Sequence, residues 1–488
     1  MIVEKTREFN ANCSTIIIGR DVSTTGRVIV AHNEDDPHGL TAAYLVPRKQ
    51  HAPGETITFD DGSAVVPEVP ETFAYYWSEV RAPGGEAFAD LFYNEHGVLV
   101  CSNRAVPCRK NDDESLGGGL GYGIRRLTAE RARSAREAVK IIGSLVEKYG
   151  YYSARIYNVA DKDEAWVVQV PRGHNWVAKR VPDDEVYYMP NWYSIREVDF
   201  KDELHANYYW SENLVQNAID EGWYTPAKKD DWSDFDFAMA YQEGGDKKFD
   251  WRRADTAWPI LLGHAPEQLR QFSEKPSRYI GLEECREVLK NHFDGKDYNI
   301  TENGTKSPHV FAHFAPCNCM TLESSIVLFD DDPRLTTIYR ANPKPCVAPY
   351  IPWFMGISEI PEGYNWLDED TAQKTHFRCT EKDFRYDPDR PYWAYQTLLY
   401  LVEANYAENH AVVHDAARKL EDQWILEAEY VKEAYRRLKV MNEPAAIELL
   451  TSFTRAKCAE GRRWAQDMIR TLGEMKIDRT ADWDNDGE

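Results

Sequence analysis

Apolar residues open the chain in short runs of strand length. Ser14-Thr15-Ile16-Ile17-Ile18-Gly19 follows Cys13, and Val28-Ile29-Val30-Ala31 follows a turn at Thr25-Gly26. Runs of this length bounded by turn residues predict buried strands. The pattern recurs over 41–47, 73–80, 87–93 and 97–102, punctuated by Pro53-Gly54, Asp60-Asp61-Gly62 and Pro83-Gly84-Gly85, so 13–105 reads mainly as β. The period then changes. Ala138, Ile141, Ile142, Leu145, Val146 and Tyr149 recur at helical spacing and form one apolar stripe on a helix predicted over 124–148.

Strand-length runs return at 153–159, 164–170, 175–180 and 186–189. Four short strands at that spacing predict an antiparallel sheet. Residues 203–300 read as mixed and more helical, and 308–355 as β again with proline breaks. From 391 to 476 the pattern gives three helices, broken near Glu408-Asn409 and at Asn442-Glu443-Pro444. This order of elements suits a layered α+β fold. The chain divides into a short leading segment (1–12), a main domain (13–390), a helical C-terminal region (391–476) and an acidic tail (477–488).

Composition narrows the function. With 58 Lys and Arg against 81 Asp and Glu, the net charge is −23. Phosphates would be repelled over most of such a surface, which argues against nucleic acid or an anionic membrane as partner. No run approaches the ~18 apolar residues that a spanning helix needs. Nine cysteines, an odd number spread over 488 residues, do not make a disulfide framework and suit a reducing compartment, the cytoplasm. Residues 1–12 are too short and too charged for a signal peptide but fit a short propeptide.

Several motifs stay below a function. The Gly-rich stretch Leu116–Gly123 lacks the Lys-Ser/Thr of a phosphate loop and reads as a linker or site-lining loop. His410 and His414 share a helical face, but no glutamate follows His410 as in a metalloprotease helix. Cys317-Asn318-Cys319 is too tight for a zinc pair and reads as a strand with one thiol per face. No Gly-x-Ser-x-Gly elbow occurs. The reading therefore calls for no metal and no cofactor.

Cys13 is the exception. A cysteine near a terminus is ordinarily a small buried residue. If the Asn12–Cys13 bond were cut, however, Cys13 would carry a nucleophile and a base, its own α-amine, on one residue. Asp35 closes the partner strand, Asn103 and Asn191 end later strands, and Arg252-Arg253 opens a predicted helix. Strand-end amides can donate to an oxyanion, and paired arginines can hold a carboxylate.

Taken together these stretches resemble the C69 dipeptidases, N-terminal nucleophile hydrolases related to penicillin V acylases and bile salt hydrolases. The likeness rests on three stretches. The first is Cys13–Gly19 with Val28–Asp35, and the second is Asn94-Glu-His-Gly-Val through Asn103. The third runs from Thr128 through Gly150 to Asn191 and Asp199. It covers 13 to about 260 well and thins beyond.

The resemblance implies a four-layer αββα sandwich. It implies Cys13 as nucleophile, freed by autocleavage after Asn12, with Asp35 binding the free amine. Asn103 and Asn191 would lie near oxyanion and amine, and Arg252 or Arg253 near the thiolate. It also implies a zymogen and a small peptide or amide as substrate; for assembly, a homo-oligomer is the expectation. Two departures stand out. His32 occupies a position where relatives carry arginine; it would line the substrate site and titrate near neutrality. The Gly-rich 116–123 replaces a more acidic stretch. A cysteine dipeptidase is the leading expectation; an amidase on N-acyl amino acids and a catalytically silent scaffold are the alternatives.

Overall fold

The structure, a computed structural model, describes residues 13–36, 39–60, 62–82, 90–105, 108–109, 119–121, 123–189, 191–244, 251–301, 305–310, 314–380 and 384–481. The leading segment, Asn12 and half of the Gly-rich stretch lie outside them, as do 482–488 of the tail.

The first strands are β1 (Ser14–Ile18), β2 (Ile29–Asp35) and β3 (Leu40–Val46). Two small ribbons follow, formed by β4 (Lys49–Gln50) with β7 (Glu71–Thr72) and by β5 (Thr56–Ile57) with β6 (Val66–Pro67). Then come β8 (Tyr75–Arg81), β9 (Leu91–Asn94) and β10 (Leu99–Arg104), and two helices, α1 (Gly123–Arg131) and α2 (Ala135–Tyr149). The predicted single helix over 124–148 is thus two. Ser134 stops it: its hydroxyl accepts from the Glu137 N–H at 3.1 Å while the Glu137 carboxylate accepts from the Arg133 N–H at 2.8 Å, capping a new helix.

Strands β11 (Arg155–Ala160), β12 (Ala165–Val170), β13 (Val177–Arg180) and β14 (Val186–Met189) occupy the predicted runs, followed by β15 (Tyr208–Trp210). They do not share one sheet. β11 to β13 pair with one another, whereas β14 crosses over to pair with β1. The next elements are α3 (Leu214–Asp220), α4 (Phe237–Tyr241), α5 (Trp251–Leu262), β16 (Ser273–Glu274), α6 (Leu282–Lys290), β17 (Thr321–Leu328), β18 (Thr337–Ala341), β19 (Ile351–Phe354) and α7 (Glu369–Thr375). Cys317–Cys319 lies in the loop before β17, not on a strand. The Asn318 side chain accepts the Met320 N–H at 2.9 Å and bends the backbone into a turn.

Two antiparallel sheets result, ordered β16-β14-β1-β2-β17-β18-β19 and β15-β13-β12-β11-β10-β9-β8-β3. Period-2 alternation buries both faces of the second. Leu99, Cys101, Ile156, Ala165 and Val167 face the first sheet, while Val100, Tyr157, Trp166 and Val168 pack with Leu127, Val139, Ile142 and Val146 of α1 and α2. On the first sheet α5 lies against β14, and α6 against β2 and β17. Helix, sheet, sheet, helix is the expected αββα order.

The C-terminal helices α8 (Pro391–Ala404), α9 (Tyr406–Met441) and α10 (Glu443–Ala481) break at Asn405 and Asn442. They share the main core through Leu398, Trp424 and Leu450 against Trp353 and Phe354 of β19. No helix among the described residues is long and apolar enough to cross a membrane.

Candidate active site

Cys13 precedes β1, and the antiparallel register Ser14↔Asn33 and Thr15↔His32 sets it beside Glu34. Cys13, Thr15, His32 and Glu34 therefore project together toward the second sheet. The Cys13 thiol donates to Glu34 Oε1 at 3.2 Å. Glu34 Oε2 and Thr15 Oγ1 take the two ring nitrogens of His32, at 3.0 and 2.8 Å. Thr15 Oγ1 also donates to Asn103 Oδ1 at 2.8 Å across the sheet interface, and that oxygen accepts Asn158 Nδ2 at 2.7 Å. The Asn103 Nδ2 group is buried with no protein hydrogen-bond partner, which leaves a donor available in the site.

Asp35, next along β2, points to the opposite face. Its carboxylate accepts Asn318 Nδ2 at 2.5 Å and Thr321 Oγ1 at 2.7 Å. Asn191 follows β14 with φ +62°, a left-handed conformation that asparagine tolerates better than most residues. The turn directs its amide so that Nδ2 donates to the Arg104 carbonyl at 2.6 Å while Oδ1 accepts Arg253 Nη1 at 3.2 Å. Arg253 Nη1 also donates to the Cys13 carbonyl at 3.1 Å. Of the two arginines, Arg253 is the buried one that reaches Cys13; Arg252 lies over the Phe293 ring, 5.7 Å from its centroid.

The electrostatics are those of a sealed pocket. Cys13 is 2 % exposed. Burial first, and then the charges of Glu34 and Asp35, push its thiol well above the usual range, against a backbone N–H of Asp35 that lowers it. Burial likewise raises Glu34 well above the ordinary carboxylate range, opposed by the Cys13 hydrogen bond and by Arg125 of α1 and Arg155 of β11. Asp35 rises to about 7 by burial, although Asn318, Thr321 and Arg253 pull it down. His32 does not titrate near neutrality as expected: burial takes it to about 4.

The structure thus joins Cys13, His32, Asn103, Asn191 and Arg253 in one network and sets Asp35 beside it. Sequence reasoning missed Thr15, Glu34, Asn158 and Arg125. Glu34 was readable from the hairpin register, since it stands opposite Cys13; Asn158 and Arg125 come from distant segments and carried no signal. Among the described residues, two groups gather three or more possible metal ligands. One is Cys13, His32 and Glu34, whose atoms the hydrogen bonds above already satisfy. The other lies beyond α6 and includes Cys317.

The model of peptidase family C69 matches residues 12–419. A probable dipeptidase of Latilactobacillus sakei is 24% identical over 410 residues, covering 81% of each chain. Probable dipeptidase B of Lactococcus lactis is 25% identical over 422 residues, covering 83% of this chain and 84% of the relative. Among solved structures, penicillin V acylase from Agrobacterium tumefaciens is similar at 14% identity and a TM-score of 0.31, over 68% of this chain and 82% of that one. With five-sixths of its length matched, the chain belongs to peptidase family C69.

Proposed function

We propose that the chain is a cysteine dipeptidase whose nucleophile is the Cys13 thiol, set free as an N-terminal residue by autocleavage of the Asn12–Cys13 bond. The observation that carries this reading is the network around one buried cysteine: Glu34 accepts its thiol and Arg253 holds its carbonyl, while Asn191 binds Arg253 and Asn103 binds the adjacent Thr15. Similarity to proteins named as dipeptidases gives the substrate class.

In the uncut chain the thiol has burial and two carboxyl groups around it, so it rests protonated, and its action is confined to the adjoining Asn12–Cys13 bond, with no turnover of substrate. Cleavage adds an α-amine, with an ordinary pKa of about 8, on the same residue. The amine takes the thiol proton, and the thiolate attacks the scissile carbonyl. Asn103 Nδ2 donates to the oxyanion, the α-ammonium passes its proton to the leaving amine, and water resolves the thioester. Asp35 faces the ammonium, and Arg253 fixes the Cys13 carbonyl so that the first residue cannot swing. His32, with both ring nitrogens engaged, shapes the substrate wall through Glu34 and Thr15.

Mass spectrometry of the purified chain, together with a panel of dipeptides and N-acyl amino acids, tests the reading. A mature N-terminus at Cys13, dipeptide turnover, and an intact, inactive Cys13→Ala variant are expected. An uncut chain that hydrolyses dipeptides, or a Cys13→Ala variant with normal turnover, overturns it.

A further inference from the structure

We propose that His292, His309, Cys317 and Cys346 bind one zinc ion. The four ligand atoms come from two connections: the long segment between α6 and β17 gives both histidines and Cys317, at separated points, and the β18–β19 connection gives Cys346. All lie within 4.8 Å of one another. His292 Nε2 and His309 Nε2 are 3.2 Å apart, and the two sulfurs 3.7 Å. His309 Nε2 is 3.7 Å from Cys317 Sγ and 3.5 Å from Cys346 Sγ.

A regular tetrahedron around zinc has bonds of about 2.3 Å to sulfur and about 2.0–2.1 Å to nitrogen. Its edges are then about 3.8 Å between sulfurs, about 3.6 Å from sulfur to nitrogen and about 3.3 Å between nitrogens. The four distances above each match the corresponding edge to within about 0.2 Å. Hydrogen bonding explains the cluster less well, because the one lone pair of His309 Nε2 would have to serve three neighbours at once. A disulfide does not fit either, since sulfurs 3.7 Å apart are far from the bonded distance of about 2.05 Å.

The surroundings are those of a built metal centre. His309 Nδ1 is 2.7 Å from Glu403 Oε1 on α8, a carboxylate that fixes the tautomer with Nε2 facing the cluster, as is usual for a metal-bound imidazole. Cys317 and Cys346 are buried, while His292 and Cys346 also line an open cleft of about 980 Å³, a route in for the ion. Two thiolates and two imidazoles in tetrahedral array select zinc among the common divalent ions and leave no open position, so the centre is structural. On binding, the ion replaces the thiol protons of Cys317 and Cys346; two protons leave and no electrons move. His410 and His414 lie on α9 along the same cleft but are not among the four ligands.

Zinc here would brace the loop that serves Asp35. Cys317 N–H donates to the Asn291 carbonyl at 3.1 Å, and Asn318, the next residue, gives Asp35 its hydrogen bond. Asn33 of β2 donates to the carbonyls of Leu289, three residues before His292, and Pro316, next to Cys317.

The experiment measures metal rather than turnover, so it stands apart from the Cys13 reading. Metal analysis of the dialysed full chain should find about one zinc per chain, and cobalt(II) exchange should give the visible bands of a tetrahedral thiolate-bound ion. Glu403→Gln, a conservative change near the surface, should weaken zinc by about 10–100-fold in a chelator competition. Cys317→Ala should abolish binding and lower the melting temperature to that of the chelated wild type. A chain that takes up no zinc even when supplied with it, a Cys317–Cys346 disulfide in an unreduced digest, or unchanged stoichiometry in Cys317→Ala overturns the proposal.

Discussion

Replacing Asp35 with asparagine isolates the energetic cost of the carboxylate set beside Cys13. Asparagine keeps the volume and one oxygen for Asn318 Nδ2, and the Thr321 hydroxyl can turn from donating to accepting, so the pH-independent effect is small. The pH-dependent effect is not. Burial raises Asp35 from 3.8 to about 7. Below pH ~4 the group is neutral in both the folded and unfolded chain and costs nothing. Between about 4 and 7 the unfolded chain ionises it while the fold keeps it protonated, so the wild type loses stability as pH rises. At about 1.36 kcal/mol per pH unit the loss is on the order of 4 kcal/mol, complete above pH ~7. The amide of the variant does not titrate. Urea unfolding of both proteins, in a Cys13→Ala background that keeps the N-terminus uncut, should show Asp35→Asn gaining about 4 kcal/mol on the wild type from about pH 4 to pH 8. In the processed enzyme the gain should shrink, because the new ammonium stabilises the charged carboxylate. A flat difference across that range in the uncut background refutes the argument.

Asn103→Asp keeps the oxygen that Thr15 and Asn158 use but turns the unpartnered donor into an acceptor; kcat should fall by about 10²–10³-fold or more with KM little changed, read by steady-state kinetics. Glu34 is held neutral by burial, so Glu34→Gln should keep most activity while Glu34→Ala, which leaves the Cys13 thiol without its acceptor and His32 Nε2 without its donor, should not. Arg253→Met leaves the Cys13 carbonyl and Asn191 Oδ1 without their charged donor and should cost about 3 kcal/mol or more of stability in calorimetry, partly restored by Arg253→Lys. His32, with a pKa of about 4, should show no imidazole titration between about pH 5.5 and 8 by NMR.

Strand-length apolar runs made much of the two sheets legible, because a strand buried on both faces leaves a continuous apolar signature. What the runs could not show was partnership. Val186–Met189 reads like its three predecessors, yet it leaves their sheet to flank β1, and that crossover is what brings Asn191 to Arg253. The break at Ser134 was written in the sequence as Ser-x-x-Glu, but the apolar stripe after it was strong enough to hide it. In the site, residues near Cys13 in the hairpin were readable and those from elsewhere were not. The choice between Arg252 and Arg253 depends on which face of α5 meets the cysteine, and one helical step decides it. The zinc ligands were illegible for the same reason: Cys317 and Cys346 are 29 residues apart and resemble no ligand pair until the fold closes.

Under the proposed mechanism, the two acidic neighbours Glu34 and Asp35 would keep a cysteine at the start of β1 silent toward substrate before cleavage and let it act afterwards. Alternation along one strand gives them opposite faces. Glu34 meets the thiol itself and, held neutral, offers it only a hydrogen-bond acceptor. Asp35 sits on the side of the main chain and α5, where the Arg253 guanidinium draws it toward its charged form. A positive charge created on the Cys13 nitrogen would therefore act on two groups at once. It lowers the thiol pKa through its proximity, and it draws Asp35 further into its charged form, which in turn holds the ammonium. The proposed mechanism would then require no side-chain base, because one peptide-bond cleavage would supply both the base and the charge. On that proposal the loop from Cys317 to Thr321 would be part of the switch, since Asn318 and Thr321 hold the Asp35 carboxyl that would answer the new charge.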